Sequence, residues 1–283
     1  MRDHPSPIDL HSHSTASDGS LAPAALVAAA AAAGITTLAL TDHDTTAGID
    51  TAADAARALG IRLIPGVEIS VTWERRTVHV VGLGIDPGAP TLRKGLATLQ
   101  DHRLRRAETI ATGLSRVGLD DALARVGALA GDGQITRSHF AALLVESGLC
   151  PDARRAFKRF LAPGKVGHVP SQWVELETAI AWIRDAGGHA VLAHPLKYPL
   201  SRSARQRLLR QFRDAGGTGL EVSSGRPQRS EIETAAADAL AFSLYGSAGS
   251  DFHGDSQPWN TLGHLPPLPD HVPSLIDLHP DFA

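Results

Sequence analysis

Hydrophobic positions in the N-terminal part of the chain alternate between the period of a buried strand and the period of a helix. Stretches rich in branched apolar residues predict strands at 8–11, 35–44, 61–70 and 77–84. Stretches rich in alanine and leucine predict helices at 23–33 and 46–59. Gly34 and Gly60 follow these two stretches, at the position where glycine commonly ends a helix.

The same alternation returns in the C-terminal part of the chain. It predicts helices at 175–186, 203–215 and 230–242, and strands at 189–195, 218–224 and 245–253. Strands that alternate with helices are joined by crossover connections, which favour parallel pairing. We therefore expect an α/β fold built around a parallel sheet.

Residues 89–171 interrupt this alternation. They predict only helices, at 91–118, 120–129, 138–146 and 152–161. We interpret 89–171 as a helical insertion that covers the functional site, and 1–88 together with 172–283 as one discontinuous α/β domain. The basic run RLRR at 103–106 is predicted to be a solvated helix face, with contact to an anionic ligand as the alternative. The proline-rich tail after Gly263 is predicted to wrap over the surface.

Composition narrows the classes of function. The 283 residues carry a net charge of −3, so no strong positive field favours long duplex DNA or a membrane surface. Residues 22–34 are too short and too rich in alanine to predict a membrane span. Cys150 is the only cysteine, which excludes a disulfide framework and a thiolate-rich zinc site and leads us to expect a cytoplasmic protein.

Histidine, with 14 residues, is abundant and is concentrated where the predicted strands end. His11 and His13 are two residues apart, so on a strand they point to the same side. In α/β barrels and doubly wound sheets, functional residues gather at the C-terminal ends of strands. Nine candidate residues lie at or beyond such ends: His11, His13, Asp18, His43, Glu68, His79, His194, Asp251 and His253.

Each of these side chains taken singly could be an ordinary structural or capping residue. Together they form a set of nitrogen and oxygen donors without sulfur, which suits zinc, manganese or iron. The sequence therefore predicts a metal site at one edge of the sheet.

Six segments that carry these residues resemble the motifs of the PHP superfamily, the polymerase and histidinol phosphatase domain. They are DLHSHSTASDG, ALTDHDT, GVEIS, HVVGLG, AVLAHP and GSDFHG, in that order along the chain. The resemblance covers essentially the whole chain. It implies a distorted (β/α)7 barrel with two or three divalent metal ions at its C-terminal mouth. Manganese is our first choice, with zinc or iron as alternatives.

Carried over residue by residue, the resemblance implies three metal positions that share one carboxylate. The first would be held by His11, His13, Glu68 and Asp251, the second by Glu68, His79 and His194, and the third by Asp18, His43 and His253. Some family members have a histidine where this chain has Asp18. Asp42 and Asp44 flank His43 and are expected to orient imidazoles through hydrogen bonds or to assist proton transfer.

The insertion resembles that of small phosphoesterases that act on nucleoside 3′,5′-bisphosphates, a subfamily that includes a 5′-to-3′ exoribonuclease of short RNA ends. The resemblance runs through Arg137, His139 and Ala141. Arg137 and His139 are expected to contact a substrate phosphate, since the planar guanidinium can donate two hydrogen bonds at once. Lys197 and Tyr198 are candidates for the rim of the pocket.

The resemblance implies a metal-dependent phosphoesterase in which water activated by the metal ions is the nucleophile and no protein nucleophile is needed. The expected substrate is the 3′-phosphate of a nucleoside 3′,5′-bisphosphate or a short 5′-phosphorylated oligoribonucleotide. Two alternatives are a phosphatase of the histidinol-phosphate type and a non-catalytic metal-binding PHP module.

Overall fold

The computed structural model describes residues 6–170, 172–254 and 260–278. Seven strands follow one another around a sheet in the order β1-β2-β3-β4-β6-β7-β8, and the short β5 pairs with β3. The strands are β1 (Ile8–Asp9), β2 (Thr37–Leu40), β3 (Arg62–Trp73), β4 (Arg76–Leu83), β5 (Val174–Glu175), β6 (His189–Leu192), β7 (Gly219–Ser224) and β8 (Tyr245–Gly249).

Backbone hydrogen bonds join β8 to β1 and nearly close the sheet into a barrel. The N–H of Leu10 donates to the carbonyl of Ala248 at 3.0 Å, and the N–H of Asp251 donates to the carbonyl of His11 at 2.8 Å. These bonds connect the last strand of the sheet to the first. The expected barrel of seven strands is therefore confirmed.

The expectation of an all-parallel sheet is wrong for β4. This strand runs antiparallel to both β3 and β6, while the other neighbouring strands on the path are parallel. Glu74 and Arg75 form a two-residue hairpin turn between β3 and β4, with φ angles of 41° and 64°. A connection of two residues can only join antiparallel neighbours, because a parallel pair needs a long crossover.

Helices α1 (Pro23–Ala32), α2 (Ile49–Leu59), α7 (Leu176–Asp185), α8 (Arg202–Asp214) and α9 (Arg229–Ala241) alternate with the strands along the chain. They bury one apolar face each in a hydrophobic cluster shared with the strands, including Leu26, Ala52, Ile180, Leu209 and Ala236. Burial of such side chains is the main favourable contribution to folding. In the described ranges no helix combines the length and the apolar composition needed to cross a membrane.

Apolar residues on the strands or directly after them form a smaller hydrophobic cluster, among them Leu10, Ile64 and Val81. Leu275, in a 3-10 helix over Leu275–Leu278, belongs to this cluster and is fully buried. The prediction that the C-terminal tail only wraps the surface is therefore wrong at this point. The tail thus supplies a buried apolar side chain to this cluster.

The insertion contains α3 (Pro90–Ser115), α4 (Ala122–Ala130), α5 (Arg137–Glu146), α6 (Ala153–Ala156) and a π-helix over Phe157–Leu161. Its residues from Ala107 to Leu161 form a separate hydrophobic cluster. The first half of α3, through Leu99, packs instead with the barrel helices. The division at residue 89 stays a prediction, but the hydrophobic clusters separate inside α3.

Candidate metal centre

The nine side chains expected to bind metal lie together at one end of the barrel. His11 and His13 follow β1, His43 follows β2, His194 follows β6, and Asp251 and His253 follow β8. Glu68 and His79 lie within strands, and the loop before α1 supplies Asp18. His79 lies in the first half of β4, not at its C-terminal end. It still reaches this rim because β4 runs in the opposite direction to its neighbours.

Glu68 lies at the centre of the set and is completely buried. Its Oε1 is 2.9 Å from His79 Nδ1 and 3.0 Å from His194 Nε2. Its Oε2 is 3.0 Å from His43 Nδ1 and 3.3 Å from the Nε2 atoms of both His11 and His13. The two carboxylate oxygens thus face two different groups of imidazoles, which is the geometry of a bridging ligand.

The remaining carboxylates each turn one oxygen towards the imidazoles and the other towards a protein donor. Asp251 Oδ1 is 3.5 Å from His13 Nε2, and its Oδ2 accepts a hydrogen bond from Lys197 Nζ at 2.8 Å. Asp18 Oδ1 is 3.4 Å from His253 Nε2, and its Oδ2 accepts from Thr136 Oγ1 at 3.0 Å. Thr136 belongs to the insertion, which therefore helps to orient Asp18.

Three groups of donor atoms within the described residues lie close enough together to hold an ion. They are His11 with His13 and Glu68; His43 with Glu68 and His79; and His13 with Asp18, His43 and His253. In each group the donor atoms all lie within 4.8 Å of one another. The sequence assigned His43 to one position only, whereas here it also lies beside Glu68 and His79.

Unpartnered polar atoms show that this donor set fits a divalent cation. Six side chains of the set each have a completely buried nitrogen or oxygen without a hydrogen bond to any described residue: His13, Asp18, His43, Glu68, His79 and His194. Burying a polar group without a partner is costly. Imidazole nitrogens and carboxylate oxygens of this kind are the ligands that manganese, zinc and iron accept.

The carboxylates of the set favour their ionised forms. Burial alone would raise the pKa of Glu68, but the surrounding imidazoles, with His43 as the strongest, hold it well below the usual range. Burial would likewise raise the pKa of Asp18, yet His253 and His43 hold it well below its usual range. Their ionised oxygens are therefore suitable as ligands for a cation.

Two of the candidate ligands have a strained backbone. His194 has a φ of 31° and Asp251 has a φ of 53°, in the left-handed region that side chains other than glycine seldom adopt. Such strain costs of order 1–3 kcal/mol per residue and persists where the surrounding structure enforces it. The backbone at these two strand ends is bent so that both side chains reach the set.

Glu221, which the sequence analysis did not identify, performs the orienting role expected of Asp42 and Asp44. His11 Nδ1–H donates to Glu221 Oε1 at 2.7 Å, which leaves His11 Nε2 free to face the centre. The N–H of His194 donates to Glu221 Oε2 at 2.5 Å. One buried carboxylate thus fixes the ring orientation of one candidate ligand and the backbone of another.

Asp42 and Asp44 make other hydrogen bonds. Asp42 accepts from the N–H of Ser14 at 2.8 Å and from Ser17 Oγ at 2.6 Å, so it holds the loop that carries Asp18. Asp44 accepts from the N–H of Ser70 at 2.7 Å and from the guanidinium of Arg103 at 2.7 Å. Neither carboxylate has a hydrogen bond to an imidazole among the described residues, and the role expected of them in orienting imidazoles or assisting proton transfer stays a prediction.

Three arginines of the insertion converge beside the metal-ligand candidates. Arg103, Arg106 and Arg137 line a pocket with a volume of about 100 Å³, whose other walls include His43 and His79. Arg103 is only 7% exposed, so the predicted solvated helix face is wrong at this residue. Arg103 is buried because this part of α3 lies over the barrel mouth, where its guanidinium pairs with Asp44.

The positive charge in this pocket is only partly neutralised. Partial burial, with Arg137 and Arg103 nearby, lowers the pKa of Arg106 to about 9. Arg106 Nε is buried without a hydrogen bond to any described residue, and the guanidinium of Arg137 lies 5.7 Å from the ring of Phe157. Trp173 contacts Arg103 and Arg106, with its ring centre 5.1 Å and 5.2 Å from their guanidinium carbons. The pocket is suited to an anion.

The other expected substrate contacts have structural partners. His139 Nδ1 accepts from the N–H of Thr136 at 3.1 Å and so caps the start of α5. The hydroxyl of Tyr198 accepts from the N–H of His79 at 2.8 Å. Lys197 is half exposed and bound to Asp251. Of the four side chains proposed from sequence to meet substrate, Arg137 is the one without an ion pair or hydrogen bond to a described residue.

The pairing of Arg103 with Asp44 leads to a prediction about stability. Replacing Arg103 with Met would leave the buried carboxylate of Asp44 without its counter-charge, so we expect the free energy of unfolding to fall by about 3–5 kcal/mol. Chemical denaturation at fixed metal concentration measures this. The matched control is Arg105→Met, because Arg105 is an exposed neighbour on the same helix. Equal changes in the two variants would contradict a buried ion pair.

Comparison with known proteins agrees with this geometry. A model of the PHP domain family matches residues 9–186. The chain is 44% identical over 265 residues to a protein of Chromobacterium violaceum named 3′,5′-nucleoside bisphosphate phosphatase, covering 93% of this chain and 92% of that protein. It is also 44% identical over 272 residues to the 5′-3′ exoribonuclease Rnm of Escherichia coli, covering 95% and 92%.

The similarity in fold to a solved structure covers almost the full length of the chain. A solved structure of an amidohydrolase from Chromobacterium violaceum, which holds bound sulfate and no metal, matches with a TM-score of 0.92 and 42% sequence identity. The match covers 96% of this chain and 95% of that one. The barrel, the set of histidine and carboxylate donors at its mouth and the family match lead to one conclusion: the chain belongs to the PHP domain family.

Proposed function

We propose that this protein is a metal-dependent phosphoesterase that hydrolyses the 3′-phosphate of nucleoside 3′,5′-bisphosphates, and that the same site acts on short 5′-phosphorylated oligoribonucleotides. The observation that carries the proposal is the arginine pocket directly beside the metal-ligand candidates. A substrate with two phosphates can place one at each. The names of the relatives from Chromobacterium violaceum and Escherichia coli support the two substrate classes.

Two neighbouring groups of residues have different roles, the metal-ligand candidates and the arginine pocket. When bound, divalent ions neutralise phosphate oxygens and lower the pKa of water. Glu68 and the imidazoles around it would hold these ions, and Glu221 keeps His11 turned towards them. No serine, cysteine or lysine is needed as a nucleophile, because water supplies the oxygen that replaces O3′ on phosphorus.

The arginine pocket selects substrates that carry a second phosphate. Its volume of about 100 Å³ suits a group of phosphate size rather than a base. Arg137 and Arg106 provide guanidinium donors without a carboxylate partner among the described residues, and an arriving 5′-phosphate would complete their hydrogen bonding. Its two negative charges would also oppose the burial and the repulsion from Arg137 and Arg103 that together lower the pKa of Arg106.

The two alternatives explain the geometry less well. A phosphatase of the histidinol-phosphate type acts on a substrate with one phosphate, which leaves the arginine pocket without a role. A non-catalytic metal-binding module does not require an open anion pocket beside its metal ligands. The proposal also includes a location in the cytoplasm, supported by the single cysteine.

We expect the protein prepared with manganese to hold about three divalent ions per chain, matching the three donor groups. It should release phosphate from a nucleoside 3′,5′-bisphosphate in preference to histidinol phosphate and to an aryl phosphate, and chelation should abolish the release. Elemental analysis and a phosphate assay on these three substrates measure both. Activity that survives with one ion or fewer per chain would overturn the cluster. Preference for histidinol phosphate would favour the first alternative.

A further inference from the structure

A second pocket opens on the other side of the metal-ligand candidates. It has a volume of about 350 Å³, within the range of pockets that hold small organic ligands. His194 and Asp251 form its inner wall, and the residues after β7 and the start of α9 form its outer wall. The function proposed above places the two phosphates of a bisphosphate at the arginine pocket and at the metal ions, and it does not use this second pocket.

The two pockets lie on opposite halves of the barrel rim. The arginine pocket borders the ends of β2, β3 and β4, through His43, Ser70 and His79. The second pocket borders the ends of β6, β7 and β8, through His194, Ser224 and Asp251. The buried Glu68 and its imidazoles lie between them. A substrate that places one phosphate in the arginine pocket and the next at the metal ions therefore has space beyond its second phosphate.

We propose that this second pocket binds the nucleotide that follows the scissile phosphate in an oligoribonucleotide. The proposal rests on the function proposed above. In a 3′,5′-bisphosphate the scissile phosphate is terminal and nothing extends beyond it. In an oligoribonucleotide the same phosphate is esterified to O5′ of the next nucleoside, which must leave the site on the side opposite the arginines.

The reaction balances in the same way for both substrates. Water adds its oxygen to phosphorus, the bond between phosphorus and O3′ breaks, and O3′ receives a proton. A bisphosphate yields a nucleoside 5′-monophosphate and inorganic phosphate. An oligoribonucleotide yields the same nucleoside 5′-monophosphate and a shortened strand that carries a new 5′-phosphate. The shortened strand is again a substrate of the same chemical class.

The lining of the pocket matches a nucleoside with a phosphate attached. Pro195, Val222 and Ala235 provide an apolar wall for a base or ribose. Ser224 lines the pocket and its Oγ has no hydrogen bond to a described residue, so a rotation of this side chain would let it bind a ribose hydroxyl. Arg226 is exposed and has no ion pair with a described residue. It can therefore contact the phosphate that follows the second nucleoside.

The acidic residues of the pocket have hydrogen-bond partners within the protein. Glu221 accepts from His11 and from the backbone of His194. Glu231 accepts from the N–H of Gln228 at 2.6 Å and caps the start of α9. Arg226 is therefore the cation in this pocket that remains open to a ligand among the residues that the structure describes.

Charge reversal at Arg226 tests the proposal. We expect Arg226→Glu to lower kcat/KM about 5- to 10-fold on a 5′-phosphorylated trinucleotide and to change it less than about twofold on a 3′,5′-bisphosphate. Arg229→Glu is the matched control, since Arg229 is an exposed arginine three residues further on that lies outside the pocket. It should leave both substrates unaffected. Equal losses on both substrates, or no loss with Arg226→Glu, would overturn the proposal.

A second variant obstructs the pocket without changing its charge. Ser224→Phe places a ring in the cavity and should likewise reduce hydrolysis of the trinucleotide while the bisphosphate is still hydrolysed, which also reports correct folding. Unchanged hydrolysis of the trinucleotide by this variant would contradict the assignment. If the wild-type protein hydrolyses neither substrate, the proposed function itself fails. If it hydrolyses both and the variants show no split, only the assignment of the second pocket fails.

Discussion

Replacing Glu68 with Gln is expected to lower kcat on a nucleoside 3′,5′-bisphosphate by about 1,000-fold or more. Glu68 is the carboxylate whose two oxygens face different groups of imidazoles, at 2.9–3.3 Å. An amide keeps the size of the side chain but removes its charge and one of its two acceptor oxygens. It therefore cannot bridge two cations in the same way. Steady-state kinetics and elemental analysis of the same preparation measure the loss of activity and of metal.

The same substitution at Glu74 is the control. Glu74 lies in the turn between β3 and β4, is 42% exposed at its side chain and pairs with Arg207. Glu74→Gln should retain metal content and activity. Unchanged circular dichroism in Glu68→Gln would show that the barrel still forms. A Glu68→Gln protein with wild-type metal content and wild-type turnover would show that this carboxylate does not hold the metal ions.

Arg137→Ala is expected to lower kcat/KM on a 3′,5′-bisphosphate by about 30- to 150-fold, the effect of losing a charge-assisted bidentate contact. An aryl monophosphate places its single phosphate at the metal ions, so its hydrolysis should change little. The arginine pocket makes the effect specific, because the guanidinium of Arg137 lies there without a carboxylate partner among the described residues. Kinetics on the two substrates measure the difference.

The control for Arg137 is Arg154→Ala, which removes an exposed arginine of the same insertion that does not line the pocket. It should affect neither substrate. Equal losses on both substrates in Arg137→Ala would place this arginine at the scissile phosphate. No loss on either substrate would show that Arg137 does not contact a phosphate, and it would remove the main support for a nucleotide substrate.

The sequence placed the candidate ligands at predicted strand ends, and the structure brings these side chains together at one end of the barrel. Most of the short apolar runs are followed by a histidine or an acid, and the topology of such folds gathers strand ends at one rim. His79 is the exception to this pattern, because it lies in the first half of its strand. The hairpin turn that reverses β4 is formed by Glu74 and Arg75, without the glycine or asparagine that commonly marks such a turn.

The roles of Glu221 and Arg103 were missed, although each carried a signal. Glu221 is the one charged residue within β7, between Leu220 and Val222, and a charge inside a buried strand needs a partner. Arg103 lies four residues after Leu99 and four before Ala107, on the buried stripe of α3. Their partners lie far away in sequence, at His11 and at Asp44, so only the folded chain brings the pairs together.

Asp42 and Asp44 show that adjacency in sequence does not predict the hydrogen-bond partners of an acidic residue. Both flank His43, and this adjacency in sequence was the reason to expect them to orient an imidazole. The fold turns Asp42 towards Ser14 and Ser17 and Asp44 towards the insertion. Which neighbour an acidic residue meets depends on how the loops cross above the barrel, and no local pattern in the sequence encodes that.

The most direct test of the account compares a nucleoside 3′,5′-bisphosphate with the corresponding nucleoside 3′-monophosphate on the manganese-loaded wild-type protein. The two substrates share the scissile phosphate and differ only in the 5′-phosphate assigned to the arginine pocket. We predict a kcat/KM higher by about 30- to 150-fold for the bisphosphate, with the nucleoside 5′-monophosphate and inorganic phosphate as products. Equal kcat/KM values for the two, or release of the 5′-phosphate, would contradict the account.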